Sequence, residues 1–119
     1  MYPMRVGVKH TMAALTARNS DSQSGSFLIG PCDRVYFQER VSATGDAGNS
    51  VVLYYEYEDP DDSQWYPLAN SDVLSTAGTL DTTALDTPPA GANIRVRWDV
   101  TIAAGTLTFS VMAREAHGG

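Results

Sequence analysis

The sequence predicts an all-β protein: a single antiparallel β-sandwich, jelly-roll or immunoglobulin-like, with about seven or eight strands. Three observations carry this expectation. Helical periodicity is nearly absent, whereas apolar and polar residues alternate with period two over several short runs, as in strands with one buried face. Turn formers interrupt these runs every eight to twelve residues or so. The chain has 119 residues, 43% of them hydrophobic, enough for one packed core and too few for two.

Residues 5–17 can form a first strand with Val6, Val8, His10 and Met12 in register. A polar, turn-like stretch over 19–25 follows, and residues 26–29 supply a short strand before the Gly30-Pro31 break. In residues 35–42, Val35, Phe37 and Val41 oppose Tyr36, Gln38, Arg40 and Ser42, and in 51–58 Leu53, Tyr55 and Tyr57 share a face. The small residues and turn formers of 43–50 predict a flexible loop joining these two strands as a pair.

Residues 58–63 read as a turn, because Pro60 cannot donate to a ladder and Asp favours Asx turns. Residues 64–68 give a short strand. Ser, Thr, Asp, Gly and Pro dominate 70–92, predicting edge-strand and loop material with Val73, Leu74, Leu80 and Leu85 as anchors. The clearest alternation places Ile94, Val96, Trp98, Val100 and Ile102 on one face. After Ala103-Ala104-Gly105 a second run buries Leu107, Phe109, Val111 and Ala113, and the two runs together predict an antiparallel hairpin. The expected organisation is an N-terminal arm and first strand (1–23), a sandwich (24–114) and a flexible tail (115–119) containing His117.

Composition narrows the function classes. Charged residues make up 18% of the chain, below the roughly 25% of an average soluble domain, and Lys9 is the single lysine. The net charge is −6, and ten of the fourteen acids are Asp. This disfavours a duplex nucleic-acid partner, which requires clustered Lys and Arg. Cys32 is alone, so no intrachain disulfide can form. No signal-peptide pattern and no apolar run of membrane-spanning length is read.

No catalytic signature of the G-x-S-x-G, phosphate-loop or H-E-x-x-H type occurs. Cys32, His10 and His117 lack metal-ligand spacing. The acidic run Glu56, Glu58, Asp59, Asp61 and Asp62 lacks the spacing of a calcium loop and reads as a solvated turn. The expectation is therefore no catalytic residues, no cofactor and no metal. Arg95 and Arg97, with Arg34 and Arg40, are expected to pair with acids across strands. Consecutive tyrosines must occupy both faces of a strand, so Tyr54 should face outward or into a contact, the usual setting of an interface ring.

The stretch from Leu53 to Leu68 resembles a pattern of small β-sandwich structural proteins of tailed bacteriophages, in which a strand runs into an E-x-S-D-D-G-x-x-W-x-x-L hairpin. Glu56 or Glu58, Asp61, Asp62, Trp65 and Leu68 match it. Residues 24–27, 35–42, 94–100 and 107–113 resemble the flanking strands. Pro60 in the turn, Ser63 in place of Gly, and Arg95 in place of an aromatic depart from the pattern.

The resemblance implies a non-enzymatic virion component: a head decoration or cement protein that binds the major capsid protein on the capsid exterior. It implies a homo-oligomer, a trimer among the options, without nucleic-acid or membrane partners, present in the host cytoplasm during assembly. The residues expected at its contacts are Tyr2, Met4 and Val6 of the arm together with Tyr54, Trp65 and Tyr66. The alternatives are a carbohydrate-binding module that stacks sugars on Trp65, Tyr66 and Tyr54, and a tail or connector protein of the same virion.

Overall fold

The computed structural model describes residues 5–117. Its strands are β1 (Arg5–Arg18), β2 (Ser22–Gln23), β3 (Phe27–Leu28), β4 (Arg34–Ala43), β5 (Ser50–Glu58), β6 (Trp65–Asn70), β7 (Thr79–Asp86), β8 (Asn93–Thr101) and β9 (Leu107–His117), and no described residue is helical. One sheet has the order β1-β9-β4-β7, the other β2-β8-β5-β6, with β3 also on β8. All pairings are antiparallel.

The chain is folded in half about the turn after β5. On either side of that turn β5 pairs with β6, β4 with β7, β2 and β3 with β8, and β1 with β9. The doubled ribbon then wraps so that β9 meets β4 and β8 meets β5. This is the double-sheet jelly roll, which decides between the two sandwich types the sequence allowed.

Two expected pairings are corrected. Residues 94–102 and 107–113 form β8 and β9, but these lie in different sheets, and so do β4 and β5. Alternation dictates which face of a strand is buried and is silent on which strand lies beside it. In a folded-over ribbon most connections pass from one sheet to the other.

The inward faces follow the predicted register. From one sheet Val35, Phe37, Val41, Leu107, Phe109, Val111 and Ala113 point inward, and from the other Val51, Leu53, Tyr55, Ile94, Val96 and Trp98 meet them. Phe37 and Tyr55 stack across the core, centroids 3.7 Å apart, and Trp98 packs edge-on against Phe109 at 5.6 Å. Of the four expected anchors Leu74 is buried and Leu85 packs against the core, whereas Val73 and Leu80 are exposed. In β1 the register slips three times, which places both Met12 and Ala13 inside.

The 43–50 connection is tied down, contrary to the flexible loop expected. The buried Asn49 side chain donates to the carbonyls of Thr44 (2.7 Å) and Ala104 (2.8 Å) and accepts from the amides of Ala103 (2.8 Å) and Ala104 (3.4 Å). It joins the β4–β5 and β8–β9 connections at one end of the sandwich. Gly45, at φ +73°, comes so near the second connection that a Cβ would lie 2.1 Å from the Thr106 carbonyl oxygen.

Strand structure reaches further at the C-terminal side than expected. Arg5 pairs with His117 and Val6 with Ala116, so residues 115–117 of the expected tail belong to the sheet, opposite the start of β1. Glu115 and Ala116 are buried, which holds this part of β9 in place.

Candidate functional site

Three polar constellations emerge from this framework: one on an outward face, one at an end and one in the core. The outward face belongs to the β2-β8-β5-β6 sheet. Cross-strand pairing places Tyr54 opposite Arg97 and Glu56 opposite Arg95, and the side chains interlock as the sequence led us to expect. Arg95 Nε donates to Glu56 Oε1 at 2.9 Å, and Arg97 bridges Glu56 Oε2 (3.4 Å) and Asp99 Oδ1 (2.8 Å). The Arg95 guanidinium lies over the Trp65 ring at 4.2 Å and that of Arg97 over Tyr54 at 4.4 Å. Such cation–π contacts are worth about 0.5–1 kcal/mol at exposed sites and hold the rings flat against the sheet.

The expected contact residues divide. Tyr54 and Trp65 are half-buried on this arginine-lined face. Tyr66 is exposed and, one position on from Trp65, projects to the opposite side of its strand, where its ring tilts against Tyr57 at 5.8 Å. Its hydroxyl donates to Asp62 Oδ2 at 2.5 Å. That bond holds the Asp62 carboxyl below the usual range and raises the Tyr66 phenol. The three rings proposed to stack a sugar thus do not form one platform. Tyr2 and Met4 lie outside the described residues, and the Val6 backbone is in the sheet opposite Ala116.

The acidic turn is built as the sequence suggests. Carboxylates of Asp59 and Asp62 accept from the amides of Asp61 (2.8 Å) and Gln64 (2.9 Å), and the Ser63 amide donates to the Asp59 carbonyl at 2.8 Å. Ser63 is left-handed, at φ 57°, a conformation in which glycine is unstrained. It is the position where the phage pattern carries glycine.

At one end of the sandwich Glu115 reaches back between elements. Its Oε2 meets His10 Nε2 at 3.0 Å and its Oε1 accepts from the Gly30 amide at 3.1 Å. Cys32 lies beside it, and burial, the Glu115 charge and that of Asp33 raise its thiol pKa. A raised pKa suppresses the thiolate needed for nucleophilic chemistry. Among the described residues no group of three or more His, Cys, Asp or Glu has the arrangement to hold a metal ion.

The third constellation escaped sequence reasoning. Glu39 is 1% exposed, on the inward face of β4 between Phe37 and Val41. Its carboxyl accepts from the Tyr55 hydroxyl and from Thr83 Oγ1 (3.1 Å to each oxygen). Burial pushes its pKa up against those two donors, and burial next to Glu39 pushes the Tyr55 phenol far up. The position was legible, since Val35, Phe37 and Val41 dictate that residue 39 points inward.

Comparison with known proteins adds a likeness of fold. No protein-family profile matches the chain, nor does any curated protein sequence. Its fold resembles a chain in "Structure of infectious bursal disease virus Gx strain", with a TM-score of 0.52 and 16% sequence identity. The likeness covers 98% of this chain and 33% of that one, so the chain spans about a third of its structural neighbour. At this identity the two share a fold.

Proposed function

We propose that this protein is a non-enzymatic structural component of a virus particle: a capsid decoration or cement protein that binds the major capsid protein on the head exterior and associates with its own copies. The observation that carries the reading is the jelly-roll likeness to a chain from a virus structure over nearly the whole length. The phage-like pattern from Leu53 to Leu68 adds the head-decoration role. A net charge of −6 is suited to a position away from packaged nucleic acid. Many weak contacts repeated over a shell add up through multivalency, which a small domain can supply.

The test is quantitative mass spectrometry of purified particles, with a density map of the same preparation. Hundreds of copies per particle and density over the joints between capsid subunits support decoration. A handful of copies at one vertex or in the tail assigns the chain to the connector or tail, and absence from particles overturns the reading.

A further inference from the structure

The two sheets present four edges, and three of them are too irregular or too short for further strand pairing. β1 slips register three times against β9. β6 contains Pro67 and a register break against β5. β2 and β3 are two residues each. β7 differs: its eight residues pair with β4 in unbroken register from Thr79 to Asp86 and include no Pro, Lys or Arg. A long, straight edge of this kind offers backbone donors and acceptors to another chain, the Thr82 amide excepted, which Asp81 holds.

The side chains along β7 specify what can come. On its outward face Leu80 is 78% exposed and borders a hollow of about 340 Å³ also lined by Gln38, Arg40, Thr82, Ser110 and Met112. On its inward face Asp81 lies opposite Glu39, and the charges of Asp81 and Asp72 both act on the buried Glu39 carboxyl. Neither Asp72 nor Asp81 takes part in a salt bridge among the described residues. Asp81 accepts instead from the backbone amide of Thr82 at 2.8 Å. A second copy of the chain would bring its own acids to this edge, and like charges on adjacent strands repel.

We propose that β7 is a docking edge that takes an extended segment of a partner protein as an added strand, with a Lys or Arg of that segment turned inward to Asp81. The outward side chains of the segment pack beside Leu80. Asp81 thus acts as a filter: neutral strands and further copies of this chain are disfavoured, and a basic strand is accepted. The inference stands apart from the virion reading, because any assembly could use the edge.

The experiment uses the full chain, isotope-labelled, and two blocked nine-residue peptides that alternate threonine and valine. One carries a central lysine, the other a central glutamate. The lysine peptide at millimolar concentration is expected to slow hydrogen exchange at alternate amides of β7 and to leave the β1 and β6 edges unchanged. Asp81→Asn keeps the acceptor for the Thr82 amide, and it should weaken lysine-peptide binding about fivefold, the upper end for an exposed pair. No slowing at β7, or equal slowing by both peptides, overturns the proposal. So does a dimer in sedimentation with β7 amides already protected in the absence of peptide, which would assign the edge to a second copy.

Discussion

Replacing Asn49 with alanine tests whether the two connections at one end of the sandwich form a single unit. The side chain is fully buried and its amide makes four hydrogen bonds to backbone groups of two loops far apart in sequence. Asn49→Ala leaves the carbonyls of Thr44 and Ala104 and the amides of Ala103 and Ala104 without these partners. Each orphaned group costs about 1–3 kcal/mol if water cannot reach it and little if it can. With about half of the four reached by solvent, the expected loss is about 3 kcal/mol. For a domain of 119 residues, each kcal/mol moves the melting temperature by about 4 °C, so calorimetry should show a drop of about 12 °C. Hydrogen exchange should rise together in residues 43–49 and 103–106. Asn49→Asp keeps the acceptor but turns a carboxylate oxygen toward two carbonyls, and should cost at least as much. A drop under about 3 °C for either variant, or faster exchange in one loop alone, would refute the account.

Three further outcomes follow from the polar groups. Because the Glu39 pKa is raised in the folded state, its contribution is complete below the unfolded value of about 4.3 and is lost as pH rises through the folded one, at no more than about 1.4 kcal/mol per pH unit. Glu39→Gln should flatten the stability profile above pH 4.5 or so relative to the parent chain, and parallel profiles in urea titrations would contradict this. Ser63→Gly relieves a left-handed serine and should raise stability by about 0.5–1 kcal/mol; a lower melting temperature would count against strain at the turn. The Cys32 thiol, its pKa raised by burial and by Glu115, should react slowly with a disulfide reagent at neutral pH and at an ordinary rate in denaturant, and fast native labelling would place it in a different environment.

Much of the fold was legible because alternation is a local property. The inward residues of β4, β5, β8 and β9 could be read from period two alone, and Trp98 was placed in the core by Val96 and Val100 on either side. Strand partners were not legible. The three residues 103–105 read as a hairpin turn, yet they carry the chain from one sheet to the other, and only the fold-back of the whole ribbon dictates that. The candidate surface shows the same division. Glu56, Arg95 and Arg97 were expected to pair across strands and do, whereas Trp65 and Tyr66 were grouped by adjacency although neighbours on a strand face opposite ways. Glu39 was missed because its charge argued for the surface, while its register placed it inside with Tyr55 and Thr83 as donors. The bonding role of Asn49 depends on a loop more than fifty residues away, which no local pattern contains.

The position of β9 also governs how the molecule can be made. It lies between β1 and β4 yet follows all the other described strands in sequence. Until it arrives, β1 has no neighbour and β4 has β7 alone. During synthesis β1 must therefore wait, without its strand partner, for β9 to leave the ribosome. Sequence-distant pairing of this kind slows folding to the millisecond-to-second range or so. A chain that ends before residue 107 has two open strand edges and lacks Leu107, Phe109, Val111 and Ala113 of the core, a substrate for chaperones and proteases in place of a stable intermediate.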